Sequence, residues 1–130
     1  MPDAEGFAQR EINEMARAAD AAGERCGLRF SVFVGQAEGD PATYAERLLA
    51  GLGTDAARAA LVLVDPQARR VEIITGTQAK QQIDDRACRM ATLAMTPSLA
   101  EGNLVDAVVT GLRVLGDAAF WRTARAAARQ

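Results

Sequence analysis

No histidine occurs in this 130-residue sequence. That absence excludes Ser-His-Asp and Cys-His catalysis, His-ligated zinc and any imidazole pH switch. Lysine occurs once, as Lys80, beside fourteen arginines. Aromatic residues make up only 5% of the chain, and no window approaches the roughly 18 apolar residues that a spanning helix needs. The two cysteines, Cys26 and Cys88, form no C-x-x-C pair, so free, inert thiols are expected of them. The opening Met-Pro-Asp-Ala-Glu carries neither a basic n-region nor an apolar run, so a cytoplasmic address is expected. Charge of one sign is also lacking: 15 basic side chains face 17 acidic ones, leaving no overall field to recruit nucleic acid or an anionic membrane.

What remains has a globular composition, 49% hydrophobic and 25% charged, and one domain over residues 1–130 is expected. Ala8, Ile12, Met15, Ala19 and Ala22 recur at helical spacing, so Asp3 to Ala22 reads as an amphipathic helix capped by Asp3 and stopped by Gly23. Leu28 to Val34 alternates, with Leu28, Phe30, Val32 and Val34 on one face and Phe33 on the other, which is strand patterning. Asp40-Pro41 launches a helix through Ala42 to Ala50. Ala59 to Val64 is apolar on both faces, as a central strand covered from two sides should be. Asp65-Pro66 turns the chain, and Arg70 to Thr75 alternates again.

Gln78 to Met95 then reads as one helix ended by Thr96-Pro97. Ser98 to Glu101 matches a capping box for a helix from Leu104 to Leu115, and residues 117–130 form a separate helical tail with an arginine stripe beside Trp121. The order α-β-α-ββ-αα predicts an α/β three-layer sandwich. Its small mixed sheet has two parallel strands plus an antiparallel hairpin strand, flanked by helices.

That topology sorts the polar groups into two rims. Gly35, Asp40 and Asp65 fall at the upper rim, where parallel strands end. Thr75, Gly76 and Thr77 fall at the lower rim, beside Gly53, Thr54 and Asp55. Asp84 and Asp85 follow nearby at a helix start. Carboxylates of this kind suit Ca2+ or Mg2+, which can polarise a phosphoryl group without histidine; aspartates also belong in the first turn of any helix. Adjacent helical side chains diverge by about 100°, so one ion meets at most one of the pair unless they lie in a loop.

The run Leu61-Val-Leu-Val-Asp-Pro-Gln-Ala-Arg-Arg-Val-Glu-Ile-Ile-Thr-Gly76, followed by Asp84-Asp85, resembles the TPM domain, and within it a short actinobacterial branch of unknown function. Cys26-Gly-Leu-Arg-Phe-Ser-Val-Phe-Val-Gly35, Ala100-Glu-Gly-Asn-Leu104 and Val109-Thr-Gly-Leu-Arg113 extend the likeness over residues 5 to 118. The resemblance implies an α/β/α sandwich. It also implies, from different members, acid phosphatase activity, calcium binding, or a part in assembling and repairing membrane complexes. The chain departs from the pattern at Thr75-Gly76-Thr77, where Gly-Tyr-Gly is usual, and at Gly102-Asn103, where Gly-Asp is usual. Three readings follow. The first is a non-catalytic module that binds a protein partner or a ligand. The alternative is a weak Ca2+- or Mg2+-dependent acid phosphatase. It would use Asp55, Asp84 and Asp85 as metal ligands at the lower rim, where Gly53, Thr54, Thr75 and Gly76 are the expected ligand-binding residues. The third is a phosphate or nucleotide binder at Gly35 and Asp65.

Overall fold

A computed structural model describes residues 9–129. Helix α1 spans Gln9–Cys26, strand β1 Arg29–Val34, helix α2 Pro41–Ala50, β2 Ala59–Asp65, β3 Arg70–Thr75, α3 Asp85–Ala100 and α4 Leu104–Ala128. Two short 3-10 turns, Gly53–Arg58 and Ala79–Gln81, lead into β2 and α3. The sheet order is β1-β2-β3. β1 runs parallel to β2, with Phe30 opposite Ala60 and Val34 opposite Val64. β3 returns antiparallel, with Leu61 opposite Ile74 and Asp65 opposite Arg70. This is the mixed α/β architecture that the alternation and the short turn at Asp65 predict.

Side-chain alternation builds the two outer layers. Phe30, Val32, Val34, Ala60, Val62 and Val64 face the larger core with α1, α3 and α4. Leu61, Leu63, Phe33 and Ile74 face the smaller one with α2. Every residue of β2 is buried. At about 1.5–3 kcal/mol for each large aliphatic side chain removed from water, this strand is the main apolar contributor to the sheet.

Four boundaries differ from the sequence reading. Gly23 does not stop α1; the helix continues to Cys26 and turns at Gly27, whose φ is +77°. Gly23 instead permits close contact, because a Cβ there would lie 2.5 Å from the Leu28 carbonyl oxygen. The predicted N-cap Asp3 lies outside the described residues. Second, Gln78 to Met95 is not one helix: the chain makes a 3-10 turn, buries Ile83, and begins α3 only after Asp84, which is extended and accepts a hydrogen bond from the Ala87 amide at 2.9 Å.

Third, Pro97 lies inside α3 and Ser98 to Glu101 form its last turn and cap rather than an N-terminal box. A mid-helix proline costs about 3 kcal/mol, and burial of Met95 and Leu99 in the core offsets it. Fourth, the tail is no separate helix: α4 is continuous for 25 residues, through Gly116. That glycine is retained where α4 meets α1, since a Cβ would stand 3.1 Å from the Ala22 Cβ.

Candidate functional site

A cleft of about 1000 Å³ opens at the upper rim, where β1 and β2 end. Four segments line it: Phe33 to Gly39 at the end of β1 and the loop beyond it, Tyr44 on α2, Asp65 to Gln67 from the end of β2 into the hairpin turn, and Gly102 to Val105 at the α3–α4 turn, with Glu11 of α1 completing the wall. Asp65 organises this cleft. It is the one buried charged side chain among the described residues, 3% exposed. Its Oδ2 accepts from the Ala37 amide at 3.1 Å and its Oδ1 from the Ala68 amide at 3.2 Å. One carboxylate thus ties the loop after β1 to the turn after β2.

The helix starts at this rim are already satisfied by their own caps. Asp40 accepts from the amide and hydroxyl of Thr43, both at 3.0 Å, and these bonds hold its carboxyl below the usual aspartate range. Asn103 accepts from the Asp106 amide at 3.1 Å and so caps α4. The aromatic side of the cleft is an edge-to-face pair, Phe33 and Tyr44, with ring centroids 5.7 Å apart. Among the described residues the lining contains no Ser, Thr, Cys, Lys or Arg.

The lower rim holds a second, shallower cleft of about 660 Å³. Here the structure brings together Gly53, Thr54, Thr75, Gly76 and Asp85, with Lys80 and Cys88. Asp55 and Asp84 stand outside its lining. Asp55 pairs with Arg29 at 2.6 Å. Asp84 caps α3 and pairs with Arg122 at 3.3 Å, so the Ala87 amide first and Arg122 after it lower its pKa. Among the described residues no group of three His, Cys, Asp or Glu side chains converges where an ion could sit.

The glycines of this rim have structural duties. Gly76 donates its amide to the Ala59 carbonyl at 2.9 Å and leaves no space for a side chain, because a Cβ would fall 1.9 Å from the Ala56 oxygen. Gly53 has φ +66° and starts the 3-10 turn. Cys88 borders the cleft with its thiol pKa raised, first by burial and then by Asp85 and Asp84. A thiol so placed is a poor nucleophile at neutral pH. Cys26 is also free and also raised by burial.

Sequence reasoning located Gly35 and Asp65 at the upper cleft but missed Glu11, Tyr44 and the Gly102 to Val105 wall. The signal for that wall was the Gly102-Asn103 pair itself. Gly102 has φ +79°, a helix-terminating conformation, and Asn is a favoured N-cap.

The fold is shared with two proteins solved by NMR. BA42 from Bizionia argentinensis superposes with a TM-score of 0.78 at 17% identity, covering 89% of this chain and 83% of that one. The N-terminal domain of cg2496 from Corynebacterium glutamicum gives 0.69 at 18% identity, covering 85% and 72%. In sequence, the uncharacterised protein Rv2468c of Mycobacterium tuberculosis is 28% identical over 90 residues, which are 69% of this chain. The chain spans about half, 53%, of that relative's length. Residues 1–116 match the model of a domain of unknown function, DUF5130, and the chain belongs to that family.

Proposed function

We propose that this chain is a non-catalytic, TPM-like binding module of the cytoplasm that engages its ligand or protein partner at the upper-rim cleft. The observation that carries this reading is the construction of the cleft. It lies beyond the carboxyl ends of two parallel strands, the position at which open α/β sheets bind ligands. It is shaped in advance by the buried Asp65 carboxylate. Among the described residues its lining offers amides, carboxylates and an aromatic wall, with Tyr44 as the one hydroxyl and with no thiol or cationic side chain. The departures from the TPM pattern at Thr75-Gly76-Thr77 and at Asn103 support the same reading.

A second reading, a weak Ca2+- or Mg2+-dependent acid phosphatase, draws support from one observation: Gly53, Thr54, Thr75, Gly76 and Asp85 line a single lower cleft with Lys80. Its metal ligands would be Asp85 with Asp55 and Asp84, the last two released from Arg29 and Arg122.

Amide-resolved NMR titration with Ca2+, Mg2+ and a phosphomonoester, run beside a turnover assay, separates the two. The binding reading expects no turnover and shifts gathered at Gly35, Ala37, Gln67 and Asn103. Phosphomonoester hydrolysis that depends on the ion and is abolished by Asp85→Asn overturns it.

A further inference from the structure

The helical layer carries a surface that neither cleft uses. Among the described residues the large hydrophobic side chains that stand exposed are Met90 at 53%, Leu93 at 67% and Trp121 at 57%, and all three lie on α3 and α4. Arginines accompany them: Arg86 and Arg89 on α3, Arg122, Arg125 and Arg129 at the end of α4. Asp84 and Asp85 precede them at the start of α3, and no acidic residue occurs in residues 86–100 or 118–129, so five arginines stand against two carboxylates. This local excess of positive charge belongs to a chain in which acidic side chains outnumber basic ones, 17 to 15.

Helical geometry gathers these side chains. At about 100° per residue, Arg86, Arg89, Met90 and Leu93 occupy an arc of roughly 100° on α3, turned away from the buried Met95. Trp121, Arg122, Arg125 and Arg129 occupy an arc of similar width on α4. The two arcs adjoin at the lower end of the molecule. There Arg122 pairs with Asp84 at the start of α3, the Thr123 hydroxyl donates to Gln82 at 3.0 Å, and Arg86 also bears on Asp84.

We propose that this face of α3 and α4 docks on an anionic phospholipid bilayer, with the arginines at headgroup depth and Met90, Leu93 and Trp121 at the edge of the acyl region. The combination of charge and apolar surface selects this partner. A nucleic acid would meet the guanidinium groups with phosphates but leave Met90 and Leu93 in water. A lipid interface takes both, since cationic side chains meet the anionic headgroups while Trp, Leu and Met enter the acyl boundary. No helix among the described residues is long and apolar enough to cross a membrane, so the contact is a surface one.

Trp121 is the sole tryptophan, so its emission reports the contact directly. The chain is mixed with vesicles of phosphatidylglycerol and phosphatidylcholine in equal parts, with vesicles of phosphatidylcholine alone, and with a DNA duplex. The expected result is co-sedimentation with the anionic vesicles only, a blue shift of Trp121 emission, and weakening by high salt. Arg125→Gln and Arg129→Gln should each lower partitioning about fivefold, and Leu93→Ser should lower it without changing its salt dependence. Circular dichroism of each variant verifies the fold. Absence of co-sedimentation with anionic vesicles, equal binding to neutral ones, an unmoved Trp121 emission, or tighter binding to the duplex overturns the proposal.

Discussion

Replacing Asp65 with alanine removes both acceptors that hold the upper cleft together. Each bond joins a backbone amide to a carboxylate in a side chain 3% exposed, and hydrogen bonds to charged groups contribute about 1.5–3 kcal/mol each. Both amides lie in loops at the rim, so water recovers part of the loss, and the expected destabilisation is about 3–4 kcal/mol. For a chain of this size that lowers Tm by roughly 10–15 °C. Asp65→Asn is the sharper variant. It keeps the shape and one acceptor oxygen, but turns an NH2 group toward whichever of Ala37 and Ala68 the oxygen does not serve, so the loss should fall to about half. Urea unfolding should show lower midpoints with an unchanged slope, and hydrogen exchange should accelerate at Ala37 and Ala68 ahead of the β2 amides. A loss below about 1 kcal/mol for Asp65→Ala, or unaltered exchange at both amides, would refute the claim that this carboxylate preforms the cleft.

The remaining predictions concern the lower rim and the caps. Gly76→Ala places a Cβ 1.9 Å from one backbone oxygen and 2.7 Å from another, and thermal melts should show a loss above about 3 kcal/mol or failure to fold. Gly53→Ala meets no atom within 4 Å and is opposed only by its φ of +66°, so it should lose about 1–2 kcal/mol in the same measurement. Asp40 and Asp84 both have lowered pKa values in the fold, chiefly through the amides of Thr43 and Ala87. A depressed carboxyl stabilises the fold above its unfolded value near pH 4 and loses that contribution as pH falls through the folded value. Melts of the wild type against Asp40→Asn and Asp84→Asn should therefore differ at pH 6 and converge in acid; a constant difference would show that the charge is irrelevant to the caps.

The sheet was legible because its signals are short-range and redundant. Alternation in Leu28 to Val34 and Arg70 to Thr75, two-sided burial of Ala59 to Val64, and an Asp-Pro turn all require the same three strands. The helical half was less so, since its punctuation depends on tertiary contacts. Gly23 and Gly116 look like helix stops when read singly, yet at Gly23 the Leu28 carbonyl comes too close for a side chain, and at Gly116 helix α1 packs in tight contact. Pro97 looks like a terminator but is overridden by the buried residues around it. A chain of helix formers from Gln78 onward conceals the break at Ile83, which is forced by burial of that side chain and by the cap at Asp84.

The same distinction decides what each rim can do. Spacing brought Gly53, Thr54, Thr75, Gly76 and Asp85 to one cleft, as topology requires. It did not reveal that Asp55 and Asp84 are drawn off by Arg29 and Arg122, which come from β1 and the far end of α4. Those arginines lie 26 and 38 positions from their partners, beyond any periodicity argument. At the upper rim the converse holds. Asp65 reads locally as a turn former, and it is one through Ala68, but its second oxygen reaches Ala37, 28 positions away. A residue explained completely by its neighbours in sequence thereby acquires a second duty from the parallel pairing of β1 and β2. The cleft owes its shape to that pairing more than to any motif.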